Sequence, residues 1–261
     1  MSTPPVQAAP GAAITGLIWT LVRTDFKARY HGTLGGFVWA LLKPLTMFLV
    51  LNAVFSLVFV ADRTYRLDLI IGLFLWDFFA DSTRTGLTSL YAKGFLLSKA
   101  RFPSWIVVLT SLSNPLITVT VFGTVLCLFL TLTGLAPGWR SVGLFAVYVA
   151  ALALIALGIS LAGSVLFLRY RDLNQVWDVV TQAGFFLAPI VYPLGVIPAR
   201  YQFWLYAWPP TAVMEFSRTV LVDGRQPTPL AHAYLAAMTF VALLVGAAVF
   251  RAQAPRAPEY L

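Results

Sequence analysis

Charge is scarce in this chain, so any charged group inside an apolar run is a candidate for chemistry. Asp77 and Asp81 stand at i, i+4, with Arg84 three residues further, in a run from about Leu67 to Ser89. A charge near mid-bilayer costs on the order of 3 kcal/mol or more, so these groups must face protein or water rather than lipid. They could line a path as a polar stripe. The alternative, which we adopt, pairs Asp81 with Arg84 and bonds Asp77 to a neighbouring helix. Paired carboxylates also suit acid/base catalysis, but no histidine, serine elbow or metal-binding cluster accompanies them. Glu215 and Arg218 form a second candidate pair at i, i+3. Arg169-Tyr170-Arg171-Asp172-Leu173 gathers charged and aromatic groups, followed by Phe185, Phe186, Pro189, Tyr192 and Pro193. Aromatic faces suit the apolar C–H side of a sugar ring, and serve equally for packing against helices or lipid.

The elements that hold these groups are membrane elements. Of 261 residues, 59% are hydrophobic and 11% charged, where ordinary soluble domains carry about 25% charged residues. Mean hydropathy is +0.82. Cys127, the sole cysteine, lies in an apolar run as a packing residue, which leaves no disulfide framework. His31 and His232 are far apart and lack partners at ligand spacing, so neither reads as a metal ligand. The net charge of +8 is spread along the chain, which fits membrane topology better than nucleic-acid binding. No glycine is followed by lysine, so there is no GxxxxGK[ST] phosphate loop. If ATP drives this protein, another chain must hydrolyse it.

A bilayer core about 30 Å thick needs roughly 20 helical residues. Six runs qualify: about 36–60, 67–89, 104–133, 141–168, 174–191 and 230–250. Residues 1–13 read as a flexible cytoplasmic tail without a signal peptide, 14–250 as one transmembrane domain, and 251–261 as a short cytoplasmic tail. In 14–31, Arg23, Lys27 and Tyr30 recur at helical spacing, as do Val22, Phe26 and Arg29. The pattern describes either a basic helix lying on the membrane surface or an ordinary basic flank before the first span, and Gly32, Gly35 and Gly36 then turn the chain into that span. With the N-terminus cytoplasmic, eleven of the eighteen lysines and arginines fall inside, six outside and Arg84 within a span. That bias sets both termini in the cytoplasm.

Two connections stand out. Tyr91 to Pro103 alternates basic and apolar residues, as either a short helix parallel to the membrane or a plain basic loop. The 194–229 connection holds Tyr201, Phe203, Trp204, Tyr206 and Trp208, then Pro209-Pro210 and an apolar stretch too short to span. A re-entrant helical pair fits this pattern, and so does an interfacial aromatic belt. Asn114-Pro115 predicts a kink in the third span. Ala156, Ser160 and Ser164 form a small-residue face for close helix contact in the fourth.

Together, several segments resemble the permease subunit of type-2 ABC exporters of cell-surface polysaccharide, which include O-antigen, capsule and teichoic-acid exporters. They are Arg29-Tyr30, Leu34-Gly35, Trp39, Pro44, Arg171-Asp172-Leu173, Pro189-Ile190-Val191-Tyr192-Pro193 and Ile197-Pro198. The resemblance runs from about residue 15 to 250. It implies an all-α integral membrane protein with six transmembrane helices, an N-terminal amphipathic interface helix and a re-entrant helical pair between spans five and six. It also implies a homodimer in the bacterial inner membrane bound to two copies of a separate ATP-binding subunit. ATP and magnesium would sit in that subunit, so this chain would be a transport subunit, not itself an enzyme.

By the same resemblance, Arg29, Tyr30, Gly35, Trp39, Arg171, Asp172, Phe185, Phe186 and Tyr192 line or frame the substrate path. Arg23, Lys27, Lys93, Gly94, Lys99 and Arg101 couple to the ATP-binding subunit. The cargo would be a lipid-linked glycan, its phosphate near Arg29 or Arg171 and its sugars passing over shallow aromatic contacts. A permease for small lipophilic compounds would share the fold. An enzyme acting on lipid-linked sugars and an ion-coupled carrier are rivals from other classes, and the sparse carboxylates and lack of an internal repeat argue against the carrier.

Overall fold

The computed structural model describes residues 10–32, 35–55, 57–58, 64–99 and 102–259. Every regular element among them is helical. Helix α1 (Pro10–Tyr30) covers the stretch where an interface helix is expected, and Gly32 and Gly36, both at positive φ, carry the chain round into α2 (Val38–Phe55). Phe37 folds back across this elbow onto Phe26 and Tyr30, its ring centroid 6.0 and 5.4 Å from theirs. Then follow α3 (Tyr65–Ala92), the short α4 (Gly94–Lys99), α5 (Trp105–Ser111), α6 (Ser113–Leu132) and α7 (Trp139–Arg169). The chain closes with α8 (Leu173–Leu187), α9 (Ala199–Tyr206), α10 (Pro209–Leu221) and α11 (Pro229–Gln253). The tail predicted at 251–261 continues α11 and then forms a 3-10 turn over Ala254–Glu259.

Four stretches are long and apolar enough to cross a membrane: α2, α5 with α6, α7, and α11. The other two predicted spans depart from that pattern for separate reasons. Helix α3 has ample length at 28 residues but carries Arg66, Asp68, Asp77, Asp81 and Arg84. Helix α8, predicted as 174–191, stops after 15 residues, roughly 22 Å of rise. Ala188 is extended because the residue before a proline is disfavoured in the helical region, and here Pro189 follows. The kink expected at Asn114-Pro115 takes the form of a break at Leu112, which places Pro115 in the first turn of α6, where its missing N–H is harmless.

Helix α3 is the centre of the structure, touching α2, α5, α6, α7, α8 and α10. Leu69, Ile71, Leu75, Phe79 and Leu90 on it are fully buried. The small-residue face of α7 works as expected at Ser160, which sits so close to Gly86 of α3 that a Cβ there would overlap its side chain. The tightest crossing is one helix further on. A Cβ on Gly246 of α11 would overlap the Gly158 backbone, and one on Gly158 would strike the Ala242 carbonyl. His232 is a structural group: its Nδ1 lies 3.0 Å from the Thr228 carbonyl and so carries the proton, leaving Nε2 to accept from the Tyr148 hydroxyl at 2.8 Å. Cys127 packs half-buried against the core.

At the Tyr65 end of α3 the pair predicted at Glu215 and Arg218 forms, with 2.7 Å between charged atoms. Arg218 is buried and does more than pair. It donates to the Asp68 carbonyl from Nε at 3.0 Å and Nη2 at 2.8 Å, and to the Pro189 carbonyl from Nη1 at 2.7 Å. The backbone freed where α8 ends is therefore satisfied by α10, as an apolar surrounding requires. Tyr65 adds a hydrogen bond to the Val191 carbonyl at 2.9 Å.

Gly246→Val should destabilise the protein by on the order of 3 kcal/mol or prevent folding, because backbone, not a movable side chain, occupies the space. Val147→Ala, on the exposed face of α7, should leave the melting temperature within about a degree; detergent thermal-shift measurements compare the two.

Candidate functional site

The charges on α3 do not pair as the sequence spacing suggests. Asp81 does not bond to Arg84; it accepts from Arg29 of α1 at 2.7 Å. Arg84 donates to Asp178 of α8 at 3.0 Å. Asp77 is bonded to a neighbouring helix, as expected, through Lys43 of α2 at 2.9 Å. The i, i+3 arrangement loses because α3 is surrounded by helices that each bring one opposite charge, and those partners cross to it directly. Burial opposes the charge on Arg29, but the Asp81 carboxylate more than offsets this and raises the guanidinium above its ordinary pKa.

Two of these pairs, Arg29–Asp81 and Lys43–Asp77, line a cavity of about 350 Å³ between α1, α2, α3 and α6. Tyr30, Trp39, Phe74 and Phe78 contribute aromatic wall. The predicted path residues Arg29, Tyr30 and Trp39 are thus brought together. Gly35 belongs with them, since a Cβ there would overlap the Trp39 indole. Lys43 is the most accessible of the four charges, its side chain 78% exposed.

One turn beyond Lys43 along α2 lies a shallow trough of about 370 Å³, with Met47 of α2 on one side and Thr181, Gln182, Phe185 and Phe186 of α8 on the other. Trp76 and Ala80 of α3 form its floor. The Phe185 ring meets Trp76 edge-on, centroids 5.9 Å apart, and Phe186 is 72% exposed. The Arg84–Asp178 pair continues the line toward the Ala92 end of α3, while Trp177 donates to the Thr83 hydroxyl at 3.0 Å and fixes α8 there. Tyr192 caps the other end of α8, donating to the Phe186 and Leu187 carbonyls at 3.1 Å.

Arg171 and Asp172 are not brought to either cleft. They occupy the α7–α8 corner, where the Arg171 guanidinium lies 3.9 Å from the Tyr91 ring centroid at the end of α3. Of the predicted coupling residues, Arg23 and Lys27 are exposed on α1. Lys93 precedes Gly94, the first residue of α4, and its ammonium pairs with Asp25 of α1. The Lys99 side chain and Arg101 lie outside the described residues. Sequence reasoning missed Lys43, Trp76 and Asp178. A signal existed for two of them, since Lys43 and Asp178 are isolated charges in predicted spans and so require a partner. Among the described residues no three of His, Cys, Asp and Glu come together as metal ligands.

Fold and composition together define a multi-pass helical membrane protein with two clefts lined along one central helix. The chain belongs to the ABC-2 type transporter family, whose model matches residues 16–222. It is similar to the O-antigen export system permease protein RfbA of Klebsiella pneumoniae, 27% identical over 94% of this chain and 95% of that protein. The protein of the same name from Myxococcus xanthus is 28% identical over 91% and 92%. The polysialic acid transport protein KpsM of Escherichia coli is 24% identical over 87% and 89%.

If the Arg29–Asp81 pair pins α1 to α3, Asp81→Arg should lower the melting temperature by about 2–4 °C, the shift expected for a loss near 1 kcal/mol. The swap Arg29→Asp with Asp81→Arg should recover at least half. A double variant no better than the sum of the single ones would dismiss the contact.

Proposed function

We propose that this chain is the channel-forming membrane subunit of an ATP-driven exporter that moves lipid-linked polysaccharide from the cytoplasmic face across the bacterial inner membrane. In this reading α3 and α8 complete six crossings, α9 and α10 form the re-entrant pair at the outer face, and both termini are cytoplasmic. Two copies assemble with two copies of a separate ATP-binding subunit, which binds ATP and magnesium. The names of the relatives support polysaccharide as cargo.

The observation that carries the proposal is the trough over α3. Phe185 and the exposed Phe186 offer aromatic surface, Thr181 and Gln182 offer hydrogen bonds, and Arg84–Asp178 offers a charge-neutral polar end. Such a surface binds sugar weakly and without regard to sequence, as a moving polymer needs, since tight uniform binding would stall it. On the two helices flanking the trough, α2 buries only Pro44, and Val176, Val179 and Phe186 of α8 are exposed. A second copy packed there would close two troughs into one conduit.

Coupling uses the Asp25–Lys93 pair. It ties α1 to the α3–α4 corner, so a push by the ATP-binding subunit on either element reaches both, and Arg29–Asp81 and Arg171 over Tyr91 pass it to α3 and α8. Arg23, Lys27, Lys93, Gly94, Lys99 and Arg101 then serve the contact with that subunit or its relay.

In cells lacking their own permease, wild-type protein with its ATP-binding partner should restore surface glycan. Phe186→Ala and Trp39→Ala, both at exposed positions, should each reduce export several-fold with the complex intact. Lys93→Glu should uncouple ATP hydrolysis from glycan without lowering expression. Export driven by the permease alone, or a complex that moves small lipophilic compounds and no glycan, would refute the assignment.

A further inference from the structure

Arg29, Lys43, Arg84, Lys93 and Arg218 are each held by a carboxylate. Arg66 of α3 is not: it is exposed, and no carboxylate among the described residues pairs with it. It stands on the rim of a crevice of about 540 Å³ between α2, α3 and α6. Leu45 and Phe48 of α2, Ile70 of α3, and Phe122, Val125 and Phe129 of α6 form the walls. Among the described residues no aspartate or glutamate lines it.

The crevice has a closed end and an open one. Thr85 meets the Ser111 carbonyl, and Phe74 stacks on Phe122. In these two contacts the α3 number falls as the partner number rises, so α3 and the α5–α6 stretch run antiparallel. Arg66 and Thr133 therefore share one end of the crevice, and the Phe74 and Phe122 rings, with centroids 3.6 Å apart, close the other. The stacked rings stand as a wall between this crevice and the ion-paired cavity. From Phe122 to Thr133 the rise along α6 is roughly 16 Å, and one leaflet's share of the hydrocarbon core is about 15 Å.

We propose that the crevice holds one acyl chain of a resident anionic glycerophospholipid, whose phosphate sits on the Arg66 guanidinium. Charge and length both select this occupant. A guanidinium pairs with a phosphate through two parallel hydrogen bonds, and a chain entering beside Arg66 crosses one leaflet before it meets the stacked rings. A zwitterionic headgroup carries its own ammonium and gains less from the same arginine. Helix α2 buries only Pro44, so the chain fills space that α2 leaves open against α6. The lipid is then part of the wall that fixes where α2 sits, beside both the ion-paired cavity and the aromatic trough. It is a fixture and not cargo, and it requires only a membrane around the helices, whatever the transported molecule.

The test places the full-length permease with its ATP-binding partner in nanodiscs of equal parts phosphatidylglycerol and phosphatidylcholine. The complex is then moved to mild detergent, and retained lipid is counted by native mass spectrometry. Wild-type protein should keep phosphatidylglycerol at least fivefold over phosphatidylcholine, and should keep it through ATP hydrolysis. Val125→Trp, which fills the crevice from its exposed side, should weaken retention at least tenfold. Arg66→Gln, at an exposed position, should bring the two lipids to parity. Val147→Trp, on the exposed face of α7, should change neither result. Undiminished retention by Val125→Trp, a preference that survives Arg66→Gln, loss of the lipid on ATP hydrolysis, or its displacement by a long-chain polyprenyl phosphate would overturn the inference. So would a disulfide between two permease copies through Val125→Cys in a Cys127→Ala background, because protein would then cover the crevice.

Discussion

An isolated charge is intolerable in a medium that cannot solvate it, and the central helix of this protein carries several. Each is answered from a different direction: Asp77 by α2, Asp81 by α1, Arg84 by α8. The same requirement that makes these residues expensive makes them organising. Helices α2 and α8 pack one face on the core, through Leu45, Phe48, Trp177 and Phe185 among others, and the ion pairs fix which charges meet across each contact, with clefts left between the helices.

The opposite end of α3 solves a related problem by other means. Where Pro189 stops α8, carbonyl groups are left without helical partners, and the Arg218 guanidinium from α10 donates to the Pro189 carbonyl there and to the Asp68 carbonyl of α3. A rigid, planar fork of five N–H donors spans carbonyls on two segments at a fixed geometry, whereas a lysine offers three donors from a single flexible point. This end is a rigid corner of backbone and buried arginine. The Ala92 end is held by accessible ion pairs, whose partners can exchange.

Membership of the ABC-2 type transporter family gives these features a common use. Helix α2 borders both the ion-paired cavity and the aromatic trough, so where it sits sets the width of each.

Much of this architecture was legible in the sequence. Apolar runs gave the helices, the basic surface helix and glycine elbow gave the entry into α2, and Glu215 with Arg218 at i, i+3 gave a pair that forms. The Arg29-Tyr30 and Trp39 grouping was also visible, because those residues are close along the chain. Which carboxylate meets which cation was not. Asp81 and Arg29 are 52 positions apart, and Arg84 and Asp178 are 94 apart; local spacing favoured Asp81 with Arg84 instead. Periodicity and hydropathy are properties of neighbours in sequence, so they fix which segments are helices and which charges need partners. The partners themselves are chosen by how helices are arranged around α3, and that choice is made by packing between segments far apart in the chain.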